Sequence, residues 1–192
     1  MPLAKQAKAL THSQQKAVLG FLQTLGNVSR NTVMFLLSVD AGLRAKEIAN
    51  LEWEILTDAA GSITDQIRLQ DWASKGRSGG VIYMSRRLRQ ALVSHAATVS
   101  QLRGRVVRSQ RQNSPMSAHV VVNWFFDLYH RLGFEGCSSH SGRRTAITRW
   151  ARNISSVGGS LRDVQSLARH ASLTMTQRYV EINPAACKKV VG

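Results

Sequence analysis

The sequence predicts a mainly α-helical domain with a small antiparallel β-sheet, an α+β fold. Over most of the chain, apolar residues recur at the three- and four-residue spacing of helices, whereas residues 62–84 alternate in short runs typical of strands. The 192 residues are 43% hydrophobic, which suits a globular chain with a core of its own. We therefore expect one domain over residues 11–192, preceded by a flexible basic N-terminus at 1–10.

The first quarter of the chain is expected to form three helices. Thr11 has the side chain of a helix N-cap, and apolar residues follow it at helical spacing until Gly26 ends the segment. A second helix over about residues 30–41 is apolar nearly all round, which predicts a place in the core. Gly42 then interrupts the pattern, and a third helix begins near Arg44.

Residues 62–84 predict a hairpin of two strands, 63–69 and 81–84. The turn between the strands is rich in glycine and contains Lys75. A phosphate-binding Walker loop is excluded, because the order of glycine and lysine is wrong and no strand–loop–helix pattern follows.

The C-terminal half returns to helical spacing. One helix extends from about Ser117 to Gly133, and the next one contains His140. Residues 160–163 have the form of a capping box, which predicts the start of another helix. Pro184 limits the last helical segment.

The charge of the chain indicates its partner. A formal net charge of +15 and a pI near 11.2 point to a polyanion, and nucleic acid or an anionic membrane surface would satisfy them. The longest apolar run, residues 32–39, is too short to span a bilayer, and the N-terminus lacks the apolar segment of a secretory signal. We therefore favour a cytoplasmic, nucleoid-associated protein that binds nucleic acid and no membrane.

An arginine-rich segment is the best candidate for contact with DNA. Between Asp71 and Asp127 there is no acidic residue, so nothing within this segment balances its positive charge. We interpret it as a surface for the phosphate backbone, since arginine suits bidentate phosphate contact. The arginines expected to bind DNA are Arg77, Arg86, Arg87, Arg103, Arg105, Arg108 and Arg111.

The side chains best suited to chemistry lie in residues 140–179. His140 and Arg143 are three apart in a helical pattern, so both can meet one small anion. Tyr179, at the end of a later helical segment, could approach that anion from the other side. The 11 Asp and Glu residues are scattered and the two cysteines lack metal-ligand spacing, so we expect no metal site. These side chains therefore favour metal-free transesterification over two-metal phosphoryl transfer.

These motifs resemble those of the tyrosine recombinase, or phage integrase, family. Its members carry His-x-x-Arg, then a Leu-Gly-His-like box, then a tyrosine nine residues past the last histidine. Here residues 167–170 read Leu-Ala-Arg-His, with Ala168 where the family usually has glycine, and Tyr179 lies at the expected distance. A second match is Gly-Leu-Arg-x-x-Glu-Ile-x-x-Leu at residues 42–51, by which the family presents its first catalytic arginine.

The resemblance implies a catalytic set of Arg44, Lys75, His140, Arg143, His170 and Tyr179. Tyr179 would attack a phosphodiester to give a 3′-phosphotyrosyl enzyme and a free 5′-hydroxyl, which keeps the bond energy and removes any need for ATP or another cofactor. The two arginines would stabilise the transition state, with Glu47 in the acidic position beside the first of them. Lys75 would protonate the leaving 5′-oxygen, His140 would transfer a proton at the tyrosine, and His170 would donate a hydrogen bond to the phosphate.

The implied function is site-specific recombination for the integration, excision or inversion of a mobile element. The resemblance covers a catalytic domain and no separate N-terminal core-binding domain, as in small fimbrial-switch recombinases. Expected partners are double-stranded DNA, further copies of the chain in a tetramer on DNA, and accessory DNA-bending proteins. A non-catalytic DNA-binding regulator or a decayed recombinase fragment is the main alternative, although neither would need all six residues in register. A type IB topoisomerase and an RNA-binding module rank lower.

Overall fold

The computed structural model describes residues 6–69, 79–109, 113–180 and 188–189. Over these residues the chain forms eight named α-helices and a two-stranded antiparallel sheet, which confirms the expected α+β class. The helices are α1 (His12–Leu22), α2 (Val28–Val39), α3 (Ala45–Asn50), α4 (Arg86–Ala96), α5 (Ala118–Arg131), α6 (Ser141–Asn153), α7 (Leu161–Ala168) and α8 (Leu173–Gln177). The strands are β1 (Gln66–Leu69) and β2 (Gly80–Tyr83). None of the described helices is long and apolar enough to cross a membrane.

Helix α2 lies at the centre of the domain. Every residue from 33 to 39 is buried, so this part of the helix has no polar face. Helices α1, α3, α4 and α6 pack around it. The helix begins at Val28 rather than at the expected residue 30, directly after Asn27, whose left-handed backbone (φ 56°) turns the chain into it.

The apolar interior has two parts of very different size. The main core joins helices α1 to α5 and both strands, and it includes large side chains such as Phe35 and Trp53. The second part, which we call the small cluster, consists of Ile147, Val164 and Ala168 between α6 and α7. The apolar contact of α7 with α6 is therefore small, and α8 contacts α7.

The two predicted strands pair, with a first strand that is shorter than expected and a second strand that is shifted by one residue. Strands β1 and β2 pair in the register Ile67 to Ile82, and both of these side chains are buried in the main core. The first strand begins at Gln66 rather than at residue 63, because Thr64 hydrogen-bonds back to the Leu56 carbonyl instead of joining the ladder. The turn that carries Lys75 lies outside the described residues.

The predicted helix starts are found where the capping residues indicated them. Thr11 and Ser160 each form a capping box with the residue three positions later, and Ser117 caps α5. The end of the expected flexible N-terminus also packs on the domain. Leu10 is buried, and its backbone N–H donates to the Thr145 hydroxyl at 2.8 Å. This contact places the segment before α1 against α6.

Candidate catalytic site

A glycine turn after α2 sets the position of Arg44. Gly42 has φ +63°, and a Cβ there would lie 2.9 Å from the ring of Trp150, so a larger residue would force a shift. Arg44 follows at the N-cap of α3, where its backbone N–H donates to Glu47 Oε2 at 2.8 Å. Its Nη1 donates to Glu47 Oε1, also at 2.8 Å. The Arg44 side chain is thereby oriented while 25% of it stays exposed.

Glu47 is a buried carboxylate shared by two arginines. Its side chain has no exposed surface, and Oε2 accepts a second hydrogen bond, from Arg169 Nη2, at 2.7 Å. Burial by itself raises the pKa of Glu47, but the charge of Arg169 and the backbone N–H of Arg44 outweigh it and lower the pKa. Glu47 is therefore an anion at neutral pH, and it orients both guanidinium groups.

Arg143 lies inside the first turn of α6. The neighbouring Gly142 lets the start of α6 approach α2 closely, because a Cβ at this position would lie 2.2 Å from a side-chain oxygen of α2. Arg143 Nη1 donates to the Gly42 carbonyl, and Nη2 donates to the Ala168 carbonyl. Burial and the charge of Arg44 lower the pKa of Arg143 to about 10, which leaves it a cation at neutral pH. Its guanidinium thus ties the turn after α2 to the end of α7.

The two histidines of the site are neutral at physiological pH. His140 is the exposed N-cap residue of α6, whereas His170 is buried. Partial burial, followed by the charges of Arg143 and Arg44, lowers the pKa of both histidines, to about 4 for His170. His170 Nδ1 lies 3.0 Å from the Thr176 hydroxyl, which fixes the ring from the side of α8.

Tyr179 follows α8 and rests on His170. The two rings stack with their centroids 5.3 Å apart and their planes at 28°. On α6, the Arg144 guanidinium lies 5.6 Å from the centroid of the Tyr179 ring, and the Thr148 hydroxyl donates to the Tyr179 carbonyl at 3.3 Å. Tyr179 and His140 line the same cleft of about 460 Å³. The tyrosine is therefore half-buried beside the start of α6.

The fold gathers five of the six expected catalytic residues in one neighbourhood: Arg44, His140, Arg143, His170 and Tyr179. The charges of Arg44 and Arg143 lower the pKa of both histidines, and Arg143 interacts electrostatically with Tyr179. Lys75 lies outside the described residues, so its position relative to this group stays a prediction. Among the residues described, no three His, Cys, Asp or Glu side chains form a group that could hold a metal ion.

The sequence model of the phage integrase family matches residues 8–186. The chain belongs to the phage integrase family. A comparison with curated proteins finds no match for this family member. The match extends over the glycine turn, both histidines and the tyrosine, so the site described above lies inside the family domain.

Solved structures of recombinases have the same fold as this phage integrase family chain. The crystal structure of XerA recombinase matches it with a TM-score of 0.74 and 20% identity, over 98% of this chain and 65% of that one. The Tn1549 transposon integrase in complex with a circular intermediate DNA matches with a TM-score of 0.73 and 17% identity, over 98% of this chain and 66% of that one. A λ integrase dimer bound to a COC′ core site matches with a TM-score of 0.69 and 17% identity, over 93% of this chain and 49% of that one. The chain thus spans about half to two thirds of these proteins.

Arg169 is a member of the site that the sequence did not suggest. Its backbone is left-handed (φ 53°), and its side chain is only 3% exposed and ion-paired with Glu47. This corrects the alignment of the Leu-Gly-His-like box of the phage integrase family: the conformation that favours glycine occurs at Arg169, not at Ala168, which ends α7. The departure from the family pattern therefore does introduce a charged side chain. Had the box been aligned on His170, Arg169 would have taken the position of its glycine.

At least two arginines of the arginine-rich segment are paired with acidic residues that lie outside the segment. Arg87 forms a bidentate ion pair with the buried Asp40, at 2.6 and 2.7 Å. Arg105 pairs with Glu52 at 3.2 Å, and Arg108 donates to the Asn113 carbonyl. Contacts with DNA at these arginines stay predictions. Of the other four, Arg86 and Arg103 are exposed, and Arg77 and Arg111 lie outside the described residues.

Proposed function

We propose that the protein is a site-specific DNA recombinase that cuts and rejoins DNA through a 3′-phosphotyrosyl intermediate, in the integration, excision or inversion of a mobile element. The observation that carries the proposal is the stacking of Tyr179 on His170 beside two anchored arginines, Arg44 and Arg143. Membership of the phage integrase family supports it, as do the DNA complexes solved for the Tn1549 and λ integrases.

The arginines supply the electrostatic part of the reaction. In the described part of the chain, Arg44 uses only Nη1 of its guanidinium in hydrogen bonds, which leaves Nε and Nη2 for a non-bridging phosphate oxygen. Arg143 donates one N–H from each Nη to a backbone carbonyl, and these two bonds hold its positive charge in a fixed position. Donors that are held in place before the substrate arrives stabilise a pentacoordinate transition state without reorganisation.

Tyr179 acts as the nucleophile and His140 as its proton acceptor. His140 is neutral at physiological pH, and it lines the cleft that Tyr179 also lines, so it is placed to accept the phenolic proton. When Thr176 donates its hydroxyl to His170 Nδ1, the ring proton stays on Nε2. That N–H then donates a hydrogen bond to the phosphate.

The phosphodiester energy is kept in the Tyr179–phosphate bond, so rejoining requires neither ATP nor a metal ion. Lys75 protonates the 5′-oxygen as it leaves. An alanine at position 75 should therefore slow cleavage of ordinary DNA far more than cleavage of a 5′-phosphorothiolate substrate, whose sulfur leaves without a proton. Equal slowing on both substrates would remove Lys75 from this role.

Double-stranded DNA is the proposed substrate and partner. The net charge of +15 favours it, and the exposed Arg86 and Arg103 are candidates for phosphate contact. By analogy with the family, further copies of the chain assemble on the DNA as a tetramer, and accessory DNA-bending proteins take part. The reaction takes place in the cytoplasm, at the nucleoid.

A nicked suicide duplex tests the proposal. The duplex carries the ends of the element that encodes the protein, and the products are separated under denaturing conditions. Wild type should form a covalent protein–DNA adduct, and Tyr179→Phe should bind the same DNA without forming one. DNA binding without an adduct in wild type would contradict the proposal and favour a non-catalytic DNA-binding regulator.

A further inference from the structure

The strained backbone of Arg169 holds a buried guanidinium beside the catalytic arginines. A residue other than glycine at φ 53° is uncommon, and it persists only where its surroundings fix it. Here the aliphatic part of the side chain packs on the first residue of β2, since a Cβ at Gly80 would lie 3.3 Å from Arg169 Cδ. The guanidinium end reaches Glu47. The side chain therefore fills the space between β2 and α3.

Glu47 pairs with both arginines, but they are not equivalent. Arg169 is the more deeply buried partner, with 3% of its side chain exposed against 25% for Arg44. A carboxylate paired with Arg44 alone would cancel the charge that Arg44 presents to an anion. With Arg169 at the other side, the carboxylate is neutralised from the interior and the exposed guanidinium keeps its charge.

Starting from the proposed function, we propose that Arg169 is a positioning residue that neutralises Glu47, so that the charges of Arg44 and Arg143 remain available to the scissile phosphate. Three guanidinium groups and one carboxylate give this part of the pocket two net positive charges. Without Arg169 one charge remains, whereas the pentacoordinate transition state carries two negative charges.

The hydrogen bonding of Arg169 favours this role over a purely structural bridge. Among the described residues, its buried Nε and Nη1 have no hydrogen-bond partner. Two buried donors without a protein acceptor make a poor structural link, because each of them forgoes a hydrogen bond within the fold. In the described part of the chain, Glu47 is therefore the one acceptor that the Arg169 guanidinium meets.

Binding of inorganic phosphate tests the proposal without cognate DNA. We compare wild type, R169G, R169K, and R169G combined with E47Q, following the His140 and His170 ring signals by NMR. Glycine suits the positive φ, so R169G should stay folded. R169G should weaken phosphate binding by about tenfold or more, and R169K should keep most of it. The double variant should recover to within about threefold of wild type, because E47Q restores two net positive charges.

The matched control is R162A, which removes an exposed arginine from the neighbouring helix α7 and should change binding by less than about twofold. Three results would overturn the proposal: no phosphate binding by wild type, wild-type affinity in R169G, or a double variant as weak as R169G. The suicide-duplex assay separates this idea from the proposed function. If the variants bind phosphate as expected but wild type forms no covalent adduct, Arg169 still neutralises Glu47 and the proposed recombinase function is wrong.

Discussion

The two halves of the candidate site differ in how firmly the fold holds them. The anion-binding half consists of Arg44, Glu47, Arg143 and Arg169. Its side chains hydrogen-bond to one another and to backbone carbonyls at the ends of α2 and α7, and Glu47 is fully buried. The tyrosine half consists of His140, His170 and Tyr179. His140 is the exposed N-cap of α6, whereas Tyr179 meets α6 through the edge of the small cluster, one hydrogen bond from Thr148 and the Arg144 guanidinium.

This difference separates two requirements of the proposed chemistry. Charge stabilisation is most effective when donors are fixed before the substrate binds, and the anion-binding half meets that condition. A nucleophile must reach the phosphorus atom only once DNA is in place, so fewer contacts suffice for it. We therefore expect substitutions in the anion-binding half to lower both stability and activity, and substitutions in the tyrosine half to lower mainly activity.

The largest effect is expected from Arg143→Ala. The change removes a fixed charge and leaves the Gly42 and Ala168 carbonyls without their donor. Cleavage of a suicide duplex should fall by at least about 100- to 1,000-fold. The free energy of unfolding, measured by urea titration, should fall by about 2–4 kcal/mol.

Tyr179→Phe is the matched variant in the other half. It should abolish cleavage but change the free energy of unfolding by less than about 0.5 kcal/mol, because the stacked ring remains. Equal losses of unfolding free energy in Arg143→Ala and Tyr179→Phe would mean that the fold holds the two halves equally firmly.

A smaller effect on activity is expected from Thr176→Val. Thr176 is fully buried, and valine keeps its shape while removing the hydroxyl that meets His170 Nδ1. The histidine then loses the contact that orients it toward the phosphate, and single-turnover cleavage should slow by about tenfold. An unchanged rate would mean that this hydrogen bond plays no part in orienting His170.

The pH dependence of stability should report on the same histidine. The pKa of His170 in the fold is about 4, below the ordinary value, so the unfolded chain binds this proton first as the pH falls. Its contribution to stability is therefore constant above the ordinary histidine pKa and is lost as the pH drops toward 4. The lowered pKa of His140 acts in the same direction. His170→Gln should flatten the decline in urea titrations between pH 6.5 and 4; an identical slope would contradict the neutral, buried state of His170.

The smallest effect lies outside the site, in the arginine-rich segment. Arg87→Ala breaks a bidentate pair with the buried Asp40 and should cost about 1 kcal/mol of unfolding free energy. Arg86→Ala, next to it and exposed, should leave stability within about 0.5 kcal/mol and weaken DNA binding instead. Electrophoretic mobility shifts at two salt concentrations, together with urea titrations, distinguish the two arginines.

The parts of the fold that sequence predicts are those set by local patterns. Thr11, Ser117 and Ser160 start helices because a cap needs only residues three positions apart. The all-apolar stretch of α2 could only lie in the core. The hairpin pairs as expected because alternating residues fix which face is buried, as at Ile67 and Ile82.

Long-range pairing explains what the sequence did not predict. The partners of Arg87 and Arg105 lie about fifty residues earlier in the chain, so the absence of acidic residues nearby said nothing about their balance. Arg169 was overlooked because the glycine position of the box was assigned to Ala168, and an arginine by itself does not indicate a left-handed backbone. The resemblance to the family did predict that Arg143 lies near Arg44 and Tyr179, and Arg143 interacts electrostatically with both of them.

Mapping the covalent adduct by mass spectrometry identifies the nucleophile itself. After the suicide reaction, the protein is digested and the peptide that carries the nucleotide is sequenced. We expect a 3′-phosphotyrosyl link at Tyr179. Tyr83→Phe, which removes the hydroxyl of an exposed tyrosine, should form the adduct as wild type does. An adduct at Tyr83 or at any other residue, or none on the cognate DNA, would contradict the role of Tyr179 as the nucleophile.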